Sequence, residues 1–99
     1  MSQVIPLQNP QELYQKKEFD LCIAQCDKII ELDPSSYQAY HIKASAWVRL
    51  EKYNEALENY GKAILLNPNF SKAHLGKGIA LVDKIGSRKP LKALPTLLN

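Results

Sequence analysis

Lys28-Ile29-Ile30-Glu31-Leu32-Asp33-Pro34 is echoed by Lys62-Ala63-Ile64-Leu65-Leu66-Asn67-Pro68, 34 residues further along the chain. Each run is apolar at helical spacing, and each is stopped by a proline, which disfavours helical backbone in the residue before it. The echo reaches beyond these runs. Ala39, Lys43 and Ala46 return as Ala73, Lys77 and Ala80, and Phe19 returns as Tyr53. A period of this length fits a helix–turn–helix unit, and such units survive by stacking on one another.

The flanking sequence supplies the remaining helices. Asn9-Pro10-Gln11-Glu12 is a helix start: Asn9 caps, Pro10 suits the first turn, and Glu12 can reach back as a box partner. That helix is expected to reach about Lys17. A second, from about Asp20 to Leu32, carries Leu21, Cys22, Ile23, Cys26, Ile29 and Ile30 as a wide stripe. Ser35 or Ser36 caps a third over 36–50, where Ala39, Tyr40, Ala44 and Trp47 alternate small and large. A fourth runs over 53–66 with Ala56, Leu57, Tyr60, Ala63 and Ile64. A fifth spans 71–84 with Ala73, Ala80 and Leu81 on one face. Gly76 and Gly78 weaken it, by up to about 1 kcal/mol each against Ala, and open room for close backbone contact. Gly86-Ser87-Arg88-Lys89 reads as a turn. Beyond it Pro90 and Pro95 interrupt a leucine stripe at Leu91, Leu94, Leu97 and Leu98. The expected organisation is a flexible segment over 1–8, a helical domain over 9–86, and a basic, leucine-rich piece over 87–99. That last piece is either an irregular cap on the stack or a docking tail.

Bulk properties narrow the class. Ninety-nine residues at 45% hydrophobic content describe one small folded domain with a modest core. The chain has no apolar run near the roughly 20 residues a membrane span needs. MSQVIPLQNP has no charged start and is broken by Pro, so it does not read as a signal peptide. The expected location is therefore cytoplasmic. The net charge of +3 hides an asymmetry: residues 1–70 hold seven Lys/Arg against nine Asp/Glu, and residues 71–99 hold six against one Asp. A basic end can meet acidic protein, phosphate or nucleic acid. It lacks interleaved aromatics for stacking bases, so nucleic acid is an unlikely partner, and a solvated face is the plainer reading.

Catalytic chemistry is hard to find. Cys22 and Cys26 share a helix face, but His41 and His74 lie far along the chain without metal-site spacing. Buried small residues are the plain reading of the pair, and a labile disulfide or half a metal site the alternatives. Asp27 and Glu31 share a face without the marks of an acid–base pair. Gly76-Lys77-Gly78 lacks the long glycine-rich run of a phosphate loop and falls inside a helix. No cofactor, metal or enzymatic activity is expected.

Tyr40, Ala44, Trp47, Tyr53, Ala56, Tyr60, Ala63 and Pro68 fall in the order and spacing of the tetratricopeptide repeat signature, and the chain resembles that family. Residues 37–70 form one nearly complete unit. Residues 9–36 resemble a unit with a shortened first helix, and 71–84 the first helix of a third. The resemblance implies an all-α fold: a right-handed stack of antiparallel helix pairs, about two and a half repeats long. It also implies a concave wall lined by each unit's first helix. Here that wall is Gln11, Tyr14 and Gln15, then Gln38, His41, Ile42, Ser45 and Arg49, then Lys72, Leu75, Ile79 and Asp83. The implied function is a non-catalytic adaptor that takes a partner peptide or helix on that face. One subclass grips a chaperone's C-terminal carboxylate. Of its five clamp places, held here by Leu7, Gln11, Ile42, Lys72 and Gly76, only Lys72 matches. A flatter, more apolar surface is implied, with Tyr14, Ile42, Leu75 and Ile79 as its strip. The alternatives are a structural subunit of a larger assembly and a co-chaperone-type protein lacking a complete clamp. Trp47 is read as core. Arg49 and Lys72 either meet an acidic partner or stand solvated.

Overall fold

The computed structural model describes residues 9–88 and, among them, five α-helices and no strand. They are α1 (Pro10–Gln15), α2 (Phe19–Leu32), α3 (Tyr37–Arg49), α4 (Tyr53–Leu66) and α5 (Ser71–Arg88). α1 pairs with α2 and α3 with α4, each pair antiparallel, and α5 packs back onto α3 and α4. The result is an all-α solenoid, as the repeat period requires.

The period is written into the backbone as well as the sequence. Lys17 and Glu51, 34 positions apart, both take positive φ, at 66° and 62°. Each makes the tight corner between the two helices of its pair. Asp33 and Asn67 end α2 and α4 at nearly the same angles, φ −143° and ψ 87° against φ −142° and ψ 89°. Their side chains accept from the N–H two residues on, Ser35 and Asn69 respectively, each at 3.2 Å. These Asx turns hold the chain open between one pair and the next, where the following prolines forbid helix.

Caps and stops set the helix limits. Asn9 accepts from the Gln11 N–H at 2.9 Å, while the reciprocal bond from Glu12 is not among the described hydrogen bonds. α1 stops at Gln15, short of the expected Lys17, because the left-handed corner begins there. Ser36 caps α3 by accepting from the Ala39 N–H at 3.3 Å. α5 overturns one expectation: it continues through Gly86 to Arg88, where a turn was read over 86–89. The position matching Lys17 and Glu51 is Ile85, and a β-branched residue resists the left-handed backbone that made the other two corners. Residues 1–8, and the cap or tail read over 89–99, lie outside the described residues.

Two cores share the interior. Leu13, Cys22, Ile23, Cys26, Ala39 and Ala46 form one between α1, α2 and α3. Ala44, Ala56, Tyr60, Ala63, Ala73 and Ala80 form the other between α3, α4 and α5. Trp47, partly buried, packs against both. Cys22 and Cys26 are fully buried free thiols. Cys22 Sγ donates to the Pro10 carbonyl at 3.3 Å. Burial, more than any neighbour, pushes both thiols above their ordinary range, and Cys26 further than Cys22. Lys43 and Asp27 form a 2.6 Å ion pair between α3 and α2.

Candidate protein-binding hollow

The first helices of the three units, α1, α3 and α5, face a common hollow of about 330 Å³. Its lining is Tyr14, His41, Ser45, Val48, Arg49, Tyr60, Lys72, Leu75, Gly76, Ile79 and Asp83. Eight residues of the implied wall come together here: Tyr14, His41, Ser45, Arg49, Lys72, Leu75, Ile79 and Asp83. Gln11 and Gln38 are exposed but do not line it. Ile42 is half-buried against the first core, turned away from the hollow.

Sequence reasoning missed Val48, Tyr60 and Gly76. Tyr60 belongs to α4, a second helix, and still reaches the floor. It does so because Gly76 leaves a gap: a Cβ there would stand 2.5 Å from the ring and 2.7 Å from its hydroxyl. The room that Gly76 opens therefore takes a side chain and not backbone, while Gly78 has nothing within 4 Å among the described residues. A large residue on one helix and a glycine on the next was the available signal. It becomes readable only once the register between α4 and α5 is known.

Two polar groups on the floor are tied to each other. Ser45 Oγ donates to the His41 carbonyl at 3.1 Å and stands 2.9 Å from the Tyr60 hydroxyl. With the Ser45 proton committed, Tyr60 donates the second bond. Burial pushes the Tyr60 phenol above its ordinary value; the Ser45 bond opposes this and Tyr14 adds to it. The His41 ring lies 5.8 Å from the Tyr60 ring and edge-on to Phe70 at 5.2 Å. Burial first, and the Lys72 cation second, hold His41 below 6.5. At neutral pH it is an uncharged aromatic surface. The Arg49 guanidinium lies over Phe19 at 5.7 Å, and Phe19 meets Tyr14 edge-on at 5.5 Å.

The hollow thus brings together the apolar surfaces of Tyr14, Val48, Leu75 and Ile79, two cations, Arg49 and Lys72, and the Asp83 carboxylate. Among the described residues no group of three His, Cys, Asp or Glu side chains is placed to hold a metal ion. No helix among them is long and apolar enough to cross a membrane.

Residues 44–84 match the model of the TPR repeat. The chain belongs to the tetratricopeptide repeat family. Its solenoid is similar to the structure of the TPR2B-domain:pHsp70-complex of yeast Sti1. The TM-score is 0.73 at 26% identity, over 75% of this chain and 59% of that one. A rice SGT1 homolog (Oryza sativa subsp. japonica) is 35% identical over 66% of the chain, and a Dictyostelium discoideum STIP1 homolog 34% identical over 69%. A tetratricopeptide repeat and J domain-containing co-chaperone of Cryptococcus neoformans is 29% identical over 69%. The chain spans 18%, 12% and 13% of the lengths of these three relatives. Its tetratricopeptide repeats are those of a protein–protein interaction module.

Proposed function

We propose that this module is an adaptor, acting in the cytoplasm, that receives an extended or helical segment of a partner protein in the hollow between α3 and α5. The observation that carries the reading is the convergence of Arg49 and Lys72 on a hollow lined by Tyr14, Val48, Leu75 and Ile79, in which Ser45 and Tyr60 are bonded to each other. Such a lining takes apolar side chains without breaking the Ser45–Tyr60 bond, and the two cations favour a segment that also bears carboxylates. The rigid wall lowers the ordering cost of capture. The test is binding of the full chain to an array of peptides combining leucine or methionine with Asp or Glu, read by calorimetry on the strongest binder. Leu75→Asp and Arg49→Glu are each expected to weaken binding tenfold or more without shifting the circular dichroism. Retention of full affinity by both variants overturns the reading.

A co-chaperone setting is favoured by the relatives, since the Cryptococcus protein is named a co-chaperone and the Sti1 domain is seen in a pHsp70 complex. This chain would enter that setting without carboxylate clamping. Ile42 packs against the first core, and the Gly76 gap is filled by the Tyr60 ring. Amidating the C-terminus of a bound chaperone-tail peptide is therefore expected to change its affinity less than twofold. A tenfold loss would restore the clamp.

A further inference from the structure

The two seams between units are built on one register and differ in charge. Between α2 and α3, Asp27 and Lys43 close on each other at 2.6 Å, and the Lys43 side chain is only 20% exposed. One period on, the same places on α4 and α5 are held by Gly61 and Lys77. Lys84 fixes the register of this second seam, its Nζ donating to Asn54 Oδ1 at 2.9 Å. Gly61 lies two turns along α4 from Asn54, and Lys77 two turns back along α5 from Lys84, so antiparallel packing sets them opposite each other. The lysine is kept and its acid is gone. Among the described residues Lys77 is in no ion pair, and a Cβ built on Gly61 meets nothing within 4 Å. One turn further along α4, Leu65 stands where α2 has Glu31, and it is 82% exposed.

We propose that this second seam receives an acidic segment of another protein, with an Asp or Glu carboxylate seated on Lys77 over Gly61 and an apolar side chain beside Leu65. The first seam supplies the template. There a carboxylate projecting from the glycine's place reaches the equivalent lysine. Charge-assisted bonds of that kind are short and directional. Gly61 withholds the internal acid and clears the space an incoming one needs. With Leu65 in the place of Glu31, no second negative charge stands there to repel it. Glu58, one turn before Gly61, faces Lys62 at 3.8 Å. The spacing suits a helical segment, since four residues rise about 6 Å, so an acid and a leucine one turn apart match Lys77 and Leu65. This surface is separate from the hollow, whose lining on α5 is Lys72, Leu75, Gly76, Ile79 and Asp83.

The probe is a blocked helical peptide carrying one Asp and, four residues on, one Leu. It is titrated into the isotope-labelled full chain and followed by amide and lysine-ammonium resonances. Shifts are expected along 58–65 and at Lys77, with α3 unmoved. The same peptide with Asn for Asp is expected to bind at least threefold more weakly, in keeping with the modest worth of an ion pair near a surface. Lys77→Gln is expected to bring the Asp peptide down to the affinity of the Asn peptide. Gly61→Asp, which restores the internal acid, is expected to do the same, and Lys28→Gln, at an exposed lysine of α2, to change nothing. Absence of shifts at millimolar peptide overturns the proposal, as does equal binding of the two peptides or full affinity in Gly61→Asp. Shifts confined to His41, Ser45 and Arg49, and lost in Arg49→Glu, would put the peptide in the hollow; they overturn this proposal and spare the reading of that site. Self-association of the free chain that Lys77→Gln abolishes, read by sedimentation, would make a second copy the occupant and overturn it as well. Comparing two peptides on the unaltered chain needs no variant, so a substitution that unfolds the protein leaves the test standing.

Discussion

A methyl group added at Gly76 would meet the Tyr60 ring at 2.5 Å, whereas one added at Gly61, in mid α4, meets nothing within 4 Å among the described residues. Both positions are helical, so both substitutions gain up to about 1 kcal/mol of helix propensity. Only the first must also displace a 3% exposed ring, and overpacking of that kind costs about 1–3 kcal/mol. Gly61→Ala is thus expected to raise the midpoint of urea unfolding and Gly76→Ala to lower it, with loss of the Tyr60–Ser45 bond. A second prediction belongs to His41. Its folded pKa lies below 6.5, so the unfolded chain takes up the proton first. Stability from this group is full above about 6.5 and falls as pH drops through the folded value. Lys72 and burial both work in that direction. The loss of stability between pH 7.5 and pH 5, measured by thermal melting, is expected to shrink in His41→Asn. An unchanged pH profile would remove His41 as its source. At this scale the sequence was legible for Cys22, Cys26 and Ala44, whose types match their burial. It was silent on Gly76, because a glycine has no side chain to declare which neighbour needs its space.

Between helices the two corners at Lys17 and Glu51 show the clearest conflict between local preference and fold. A side chain in left-handed backbone costs roughly 1–2 kcal/mol, least for Asn. Glu51→Asn is expected to stabilise by several tenths of a kcal/mol, and Glu51→Val to destabilise by about 1–2 kcal/mol; chemical denaturation of the two variants checks both signs. Glycine would be a weaker gain than its φ freedom suggests, since it also loosens the unfolded chain. The helices themselves were readable because apolar spacing and Asp33-Pro34 and Asn67-Pro68 state where α2 and α4 lie and stop. The end of α5 was misread for a related reason. Gly86 and Ser87 are turn-forming by type, yet the corner of each unit falls one residue earlier than Gly86, at Ile85, and β-branching there keeps the helix going. The wall of the hollow was recovered where a residue sits on the inner face of a first helix. It was lost at Tyr60, which crosses from a second helix, and at Ile42, which turns into the core.

Across the whole molecule, stability is carried by two small-residue cores that meet at one side chain. Trp47 packs against Leu13, Cys22 and Cys26's cluster on one side and that of Ala56 and Tyr60 on the other. Repeat arrays hold together through such neighbour contacts and not through a single centre. Removing one of the few that this short stack possesses acts on both halves. Full burial of a tryptophan is worth about 3–5 kcal/mol on truncation to alanine, and Trp47 is only partly covered, so about 2–4 kcal/mol is expected. That is a large share of the roughly 5–15 kcal/mol that folded domains possess. The effect should extend beyond the midpoint. If Trp47 is the mechanical link, Trp47→Ala will also lower the urea m-value, because α1–α2 and α4–α5 will no longer expose their surface in one step. Trp47→Phe should keep most of the link and lose about half as much stability. Urea titrations followed by far-ultraviolet circular dichroism separate these outcomes. A lowered midpoint at unchanged m would make Trp47 an ordinary core residue, and would place the coupling of the two halves in the Lys43–Asp27 pair and the backbone corner at Glu51.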